Sequence, residues 1–578
     1  MSGAKLKAEL PGGPPSSPPR PRRASWLLAV GCVALFAFFQ FAARFPFSFR
    51  HMCGLEPASP AGICPQSTSI APEKNAALWN ELTALHSTDA FLKRAAAQLS
   101  AAVQIPTETY DAMGPVGEDP RWESRGPFVE HLATAFPLVH GALDLQKVNT
   151  YGLVYTWQGS DASLKPILLM GHYDVVPVAP LSADQWTHPA YSGHFDGEYI
   201  WGRGSTDDKS GVIGILTAIE VLLEKNFAPT RTVVLSFGFD EEASGYHGAA
   251  YLADALLERF GRNAFAMIVD EGAGFDEQFG AIFAAPGVAE KGYVDVTVQV
   301  QTPGGHSSIP PEHTSIGILA AMIVHLENTA PPPVLEVGTP PFDMAQCFAA
   351  HGPEMPRPLK RAILRAEKSK HALKKAEQTL LRDRAFRALV ATTQPVDIVN
   401  GGVKSNALPE QAMAVINHRI STQNSVNATI SRDRDVLLDL AAHFNLSVTA
   451  YGESLTSAED AAAASGSLTL TAPGGLEPAP ITSSTAAPYH ILAGTIRATL
   501  NATYGEEMKD VFVTPGMMTG NTDTRWMWDL SEHIFRYGHW NGGLGMIHTV
   551  NERMEAHSFV GVITFITTLI LNVDETAF

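Results

Sequence analysis

Short runs of apolar residues along this chain end abruptly in carboxylate or imidazole side chains. ILLM is followed by GHYD, with His172 and Asp174, and VVLSFGF is followed by DEE, with Glu241 and Glu242. A third run, MIV, ends at Asp270. Short β-branched runs bounded by polar residues are typical of parallel strands that are buried on both faces. The sequence therefore predicts an α/β fold with a mostly parallel sheet.

The hydrophobic pattern changes after Lys291. YVDVTVQVQ alternates apolar and polar residues with period two, which predicts a strand with one exposed face. SIGILAAMIVHLEN and DVLLDLAAHFN have helical periodicity, and AMAVINHRI and LSVTAYG predict two more strands. Residues 455–480 are rich in Ala, Ser, Gly and Pro and predict a loop. This part of the chain therefore predicts a smaller α+β layer.

The order of these patterns predicts a discontinuous catalytic domain. His548 must lie beside the strand-end side chains if all of them bind one metal cluster, so this domain would comprise 76–292 and 476–578. An α+β domain at 293–475 would be inserted into it. Within the insertion, the stretch at about 355–390 is basic and predicts solvated helices.

The N-terminal segment predicts a membrane anchor. Residues 1–24 are rich in Pro and Ser and should form a disordered cytosolic tail. The 18 residues from Trp26 to Ala43 are apolar except for Gln40. At about 1.5 Å per residue they nearly span a bilayer core, and the preceding arginines predict a cytosolic N-terminus. We expect a transmembrane signal-anchor at 25–44 and a stalk at 45–75, with a cleavable signal peptide as the alternative.

Composition narrows the class of protein. The 578 residues are 45% hydrophobic and 17% charged, which is typical of a globular chain with more than one domain. The net charge of −18 argues against nucleic acid as a partner.

The side of the membrane matters for two further predictions. Cys53 and Cys64 could pair in an oxidising lumen, and free thiols are the alternative. Three N-x-[ST] triplets on the lumenal side are candidate glycosylation sites: Asn427, Asn445 and Asn501.

The candidate ligands form a mixed nitrogen and oxygen set that suits zinc. A bridging carboxylate, here Asp207 in GRGSTDDKSG, can hold two ions about 3.5–4 Å apart. His172 and Asp270 suit one ion, and Glu242 and His548 suit the other.

Two further carboxylates suit roles beside the ions. Asp174 lies two residues after His172, on the same face of an extended segment, and can orient the imidazole. Glu241 is adjacent to Glu242 but directed differently, so it can serve as general base for a bridging water.

The motifs GHYDVVP, GRGSTDDK, DEE, DEG and GGHSS, with the late histidine, resemble the two-zinc family of carboxypeptidases, aminoacylases and succinyl-diaminopimelate desuccinylases. The resemblance extends from about Leu168 to His548. It implies two zinc ions on the five ligands above, catalytic roles for the two further carboxylates, and a cis peptide between Asp207 and Asp208. Relatives use either acidic residue of DEG, so Glu271 is an alternative to Asp270.

The resemblance also implies that the inserted domain is a lid. His306 in PGGHSS would polarise the scissile carbonyl, and Asn406 and Arg419 would contact the substrate carboxylate. The resemblance does not decide whether the chain forms a homodimer through the lid. The N-terminal segment, the long insertion and TGNTDTRWMW are most similar to the vacuolar carboxypeptidases of fungi, which implies a vacuolar location.

The sequence therefore predicts a membrane-anchored, lumenal metallocarboxypeptidase that acts on short peptides. The alternative is an N-acyl-amino-acid hydrolase of the same family, because the same amide would be cleaved. A non-catalytic binding or sorting receptor is less consistent with the intact Glu241 and the full ligand set.

Overall fold

The computed structural model describes residues 62–508, 510–542 and 547–576. The predicted tail and signal-anchor, most of the stalk and Cys53 lie outside these ranges. The helices are α1 (Ala76–His86), α2 (Asp89–Val103), α3 (Arg125–Ala135), α4 (Pro137–Ala142), α5 (Lys209–Glu224), α6 (Ala249–Phe260), α7 (Ser315–Asn328), α8 (Pro340–His351), α9 (Arg357–Ile363), α10 (Lys370–Leu380), α11 (Arg384–Val390), α12 (Val426–His443), α13 (Ala458–Ala463), α14 (Ala487–Tyr504) and α15 (Ala556–Asp574).

The strands form one large sheet, one sheet of six strands and two small sheets. In chain order they are β1 (Asp144–Val148), β2 (Gly152–Trp157), β3 (Ile167–His172), β4 (His194–Phe195), β5 (Tyr199–Trp201), β6 (Val233–Gly238), β7 (Met267–Asp270), β8 (Phe275–Gln278), β9 (Ala281–Ala284), β10 (Gly287–Glu290), β11 (Gly292–Gln301), β12 (Val396–Gly401), β13 (Gln411–Ile420), β14 (Leu446–Ala450), β15 (Glu453–Ser454), β16 (Gly466–Thr471), β17 (Val511–Val513), β18 (Gly516–Met518), β19 (Ile534–Arg536) and β20 (Arg553–Glu555).

The large sheet has eight strands in the order β1-β2-β6-β3-β7-β19-β10-β18. Its centre is parallel, from β6 through β3 and β7 to β19. The β1–β2, β2–β6 and β10–β19 pairs are antiparallel, so the sheet is mixed. The three apolar runs are β3, β6 and β7, and every residue in them is buried. Their carboxyl ends therefore meet at one edge.

Two long helices, α5 and α15, pack against each other beside this sheet. Among the described residues, α15 is the one helix long and apolar enough to cross a membrane, but 94% of its apolar window is buried inside the protein. It is therefore a core helix.

The second sheet has the order β12-β13-β11-β16-β14-β15, and α7 and α12 pack on it. As predicted, β11 alternates buried and partly exposed residues. The prediction of a loop over 455–480 is wrong in part, because α13 and β16 lie inside it. This polar strand pairs with β11 and β14, and these neighbours supply hydrogen bonds that local composition does not indicate.

The basic stretch forms the helices α9, α10 and α11. Together with α8 they bury a small core of their own, and α8 also packs against β18 of the large sheet. The basic side chains of these helices are largely exposed.

Neither alternative for Cys64, pairing with Cys53 or a free thiol, is correct, because Cys64 is bonded to Cys347 in the second half of α8, with a Cα–Cα distance of 5.1 Å. The segment after Gly62 runs back along the folded domain. Gln66 donates to the backbone oxygen of Val513 and accepts from its N–H. This course brings Cys64 to α8, which the spacing of the cysteines does not indicate.

Candidate metal centre

Asp207 lies at the centre of the site. Its Oδ1 is 3.0 Å from Nε2 of His172, the last residue of β3, and its Oδ2 is 3.1 Å from Nε2 of His548. Nε2 of His548 also lies 3.1 Å from Oε2 of Glu242. Hydrogen bonds to these two carboxylates raise the pKa of His548 to about 10. The surroundings of this imidazole are therefore strongly negative.

Two groups of side chains could each hold one metal ion. The first contains His172, Asp207 and Glu271, and the second contains Asp207, Glu242 and His548. The ligand atoms of each group lie within 4.8 Å of one another. Asp207 belongs to both groups, which is the arrangement expected for a carboxylate that bridges two ions.

The geometry favours Glu271 over Asp270 as the ligand from DEG. Oε1 of Glu271 lies 3.5 Å from Nε2 of His172, whereas Asp270 belongs to neither group. Successive residues of an extended segment point to opposite faces. The Asp270 carboxyl is buried and interacts electrostatically with His172, Glu290 and Arg536, but it does not share a ligand group with His172. Glu271 therefore replaces Asp270 in the candidate ligand set.

Asp174 connects two parts of the site. Its Oδ1 is 3.2 Å from Nδ1 of His172 and also accepts the backbone N–H of Glu241 at 3.1 Å. Its Oδ2 accepts the N–H of Glu242 at 3.2 Å. Asp174 thus orients the imidazole and holds the turn that carries both glutamates.

Glu241 lies beside both groups without belonging to either. Its Oε2 is 3.9 Å from Nε2 of His172, and it lines the cavity described below. Burial raises the pKa of Glu241 well above its usual value, and the charge of Glu242 adds to this. A carboxylate of raised pKa is suited to accept a proton near neutral pH.

The donor set fits divalent cations. Burial raises the pKa values of Asp208, Glu241 and Glu271 well above their usual range, because several carboxylates share one space of low polarity. Bound cations would offset this repulsion. The Asp207–Asp208 peptide is cis, as the resemblance implies. Asp208 caps α5 by accepting the N–H of Gly211 at 3.2 Å.

Sequence reasoning missed Glu552, which holds the turn around Asp207. Its buried Oε1 accepts the backbone N–H groups of Gly204, Thr206 and Asp207 at 3.0, 3.1 and 3.3 Å. Its other oxygen accepts from the Arg203 guanidinium. The one indication of this role in the sequence is that Glu552 follows closely after His548.

A cavity of about 660 Å³ opens beside these groups. Carboxylates and His548 line one end, and mostly apolar side chains line the rest. Asn521 also lines it and accepts a hydrogen bond from Nη1 of Arg419 at 3.1 Å. The side chain of Asn521 therefore separates Arg419 from the cavity.

The other two predicted substrate contacts lie elsewhere. His306 and Asn406 are exposed residues of adjoining segments, linked by the N–H of Ser307 to the backbone oxygen of Asn406 at 3.3 Å. The structure brings them to each other, but neither is among the residues that line the cavity. The glycosylation candidates Asn427, Asn445 and Asn501 are all exposed.

Comparison with known proteins identifies one family. The model of peptidase family M20/M25/M40 matches residues 168–572. Carboxypeptidase S of Saccharomyces cerevisiae is 39% identical over 507 residues, covering 86% of this chain and 86% of the relative. The N-fatty-acyl-amino acid synthase/hydrolase PM20D1 of Mus musculus is 32% identical over 491 residues, covering 82% and 87%.

The fold recurs among solved structures. Human carnosine dipeptidase 1 matches with a TM-score of 0.58 and 14% identity, covering 87% of this chain and 100% of that chain. At this identity the likeness shows the fold alone.

Proposed function

This chain belongs to peptidase family M20/M25/M40 and is a hydrolase, and from that premise we propose that it is a two-zinc metallocarboxypeptidase acting on short peptides. The observation that supports this most is the pair of ligand groups that share Asp207. The similarity to Carboxypeptidase S supports the reaction.

The zinc ions would be held by His172, Asp207 and Glu271 on one side and by Asp207, Glu242 and His548 on the other. When bound, such ions polarise the scissile carbonyl and lower the pKa of the attacking water. A carboxyl-rich donor set with two imidazoles suits zinc.

The remaining steps belong to the protein's own side chains. Glu241 takes the proton of the attacking water at its carboxylate and later delivers it to the leaving amine. Asp174 keeps His172 and the Glu241 backbone in place through the hydrogen bonds at 3.2 and 3.1 Å.

We also propose that the α+β part of the inserted domain at 293–475, formed by the second sheet with α7 and α12, acts as a lid on the domain formed by 76–292 and 476–578, whereas α8 to α11 stay packed on that domain. Arg419 would bind a substrate carboxylate, and its hydrogen bond to Asn521, which lines the cavity, supports this role. His306 and Asn406 would reach the substrate only when the insertion closes, because both are now exposed.

Further proposals concern the setting of the enzyme. The apolar run at 25–44 would anchor it in a membrane, with the catalytic part in the vacuolar lumen and glycans on exposed asparagines. A homodimer would form through β12, an edge strand whose Ile398 and Val399 are exposed.

A second candidate is hydrolysis of N-acyl amino acids. The similarity to the mouse hydrolase and the apolar lining of the cavity favour it. The two reactions cleave the same kind of amide and differ in the group on its amino side.

Substrate turnover by the purified full-length protein tests the proposal. We expect hydrolysis of an N-blocked Gly-Leu dipeptide, loss of activity in a chelator and recovery with Zn²⁺. Faster turnover of a fatty-acyl leucine would favour the second candidate. Full activity after prolonged chelation, with no metal detected, would exclude the zinc mechanism.

A further inference from the structure

One wall of the cavity comes from the helical segment 340–390, here called the helical wall. Met344 of α8 and Ala385, Ala388 and Leu389 of α11 line it. Val562, Phe565 and Ile566 of α15, together with Met517 and Met518 of β18, line other parts of the same cavity. A substrate bound at the metal end would therefore extend into a space enclosed by apolar side chains.

The helical wall is amphipathic. Between Arg357 and Arg387 the sequence contains eleven Lys and Arg residues against three Asp and Glu. None of these charged side chains lines the cavity, and the residues that do are Met, Ala and Leu. The charge faces away from the cavity, so this wall offers no partner for an ionic group of the substrate.

The helical wall is held at two points by residues that lie outside the insertion 293–475. The Cys64–Cys347 disulfide lies one turn after Met344, and the Cys64 segment is held to Val513 through Gln66. At the other end, Nζ of Lys291 donates to the backbone oxygen of Ala388 at 2.9 Å. A wall held at both ends has the rigidity needed to select substrates by size.

We propose that the helical wall determines specificity and selects substrates that carry a large apolar group next to the scissile amide. This rests on the proposed function, since it concerns the same site. Burial of apolar surface favours binding of such a group. The group is either an N-acyl chain or an apolar side chain of the peptide. Both present an apolar surface, so the helical wall would recognise them in the same way.

The test narrows the cavity with Ala388→Phe in the full-length protein. We expect kcat/KM for N-octanoyl-leucine or a Phe-containing blocked dipeptide to fall at least tenfold, since one methylene in an apolar pocket already changes it by about 10-fold or more. Turnover of N-acetyl-alanine should change less than about twofold. The substrate series in which the loss occurs identifies which apolar group contacts the wall.

Arg387→Phe is the matched control, because Arg387 is the exposed neighbour of Ala388 on the same helix. It should leave both substrate classes unchanged. Leu389→Ala enlarges the cavity and should raise the relative rate for the bulkiest substrates, so it tests the proposal if Ala388→Phe does not fold. Equal losses on short and long substrates, or the same profile in Ala388→Phe and Arg387→Phe, would overturn the proposal.

Binding separates this proposal from the proposed function. Calorimetry with N-acyl-leucines of increasing length should show affinity that rises with chain length in the wild type and stays flat in Ala388→Phe. If the protein hydrolyses none of the substrates but still binds longer acyl chains more tightly, the proposed reaction would be refuted and the role of the helical wall supported. Affinity that is independent of N-acyl chain length and, in a matching series of blocked dipeptides, also independent of the size of the apolar side chain would refute the role of the helical wall.

Discussion

Nε2 of His548 lies 3.1 Å from Oδ2 of Asp207, although the two residues belong to opposite parts of the chain. His172 approaches the other oxygen of the same carboxylate at 3.0 Å. The cluster thus depends on the last part of the sequence returning to the strand ends formed by the first part. The proposed two-ion mechanism depends on this convergence at Asp207.

Glu271→Gln should remove one zinc ion per chain and most of the activity, because Glu271 completes the group with His172 and Asp207. Asp270→Asn is the matched comparison and should retain both ions, since Asp270 belongs to neither ligand group. Elemental analysis of the two purified variants measures this. Metal loss in Asp270→Asn but not in Glu271→Gln would restore Asp270 to the ligand set.

Glu241→Gln should lower kcat by about 10²–10⁴-fold with zinc content unchanged, because the amide keeps the shape but cannot accept the proton. Glu242→Gln should lose zinc together with activity, since Glu242 contacts His548 at 3.1 Å. Kinetics and metal content of both variants check this. The opposite pattern would show that the two glutamates have exchanged roles.

Glu552→Ala should weaken metal binding and stability together. It leaves the Arg203 guanidinium, which is 5% exposed, and three backbone N–H groups without their acceptor. Removing one partner of a buried ion pair costs about 3–5 kcal/mol. Chemical unfolding and metal titration measure both effects, with exposed Glu532→Ala as control. Unchanged stability and zinc affinity would remove Glu552 from the support of Asp207.

Acid should destabilise the fold through His86. This imidazole is buried, its Nδ1 lies 3.1 Å from Oγ1 of Thr564, and burial lowers its pKa to about 4. The unfolded chain, with a His pKa of about 6.5, binds more protons between these values, so stability falls as pH decreases through that window. The expected loss at pH 5 is about 2 kcal/mol relative to pH 7.

His86→Gln isolates this contribution from other buried groups such as His539, whose pKa is lowered to about 3 by burial. The free energy of unfolding of the variant should decrease less between pH 7 and pH 5 than that of the wild type. Parallel pH profiles for the two proteins would refute the role of His86.

Local patterns predicted the strands that carry the site and also a helix of the second sheet. β3, β6 and β7 follow from their buried apolar runs, and α7 covers the stretch with helical periodicity. Their success has a physical reason: periodic burial is encoded within a few residues of each position. The choice between Asp270 and Glu271 depends on which face of one strand end points at His172, and the sequence does not contain that orientation.

The rest depends on contacts between distant segments. The Cys64–Cys347 bond and the hydrogen bonds of Glu552 join residues that no local pattern relates. β16 is a strand because β11 and β14 flank it, although its own composition resembles a loop. Such features follow only from the assembled fold.

Metal stoichiometry tests the central claim most directly. Native mass spectrometry of the active full-length protein, compared with Asp207→Ala, should show two zinc ions per chain in the wild type. It should show loss of both in the variant, because Asp207 belongs to both ligand groups. A fully active wild type with one ion or none, or an Asp207→Ala variant that retains two, would contradict the two-ion account.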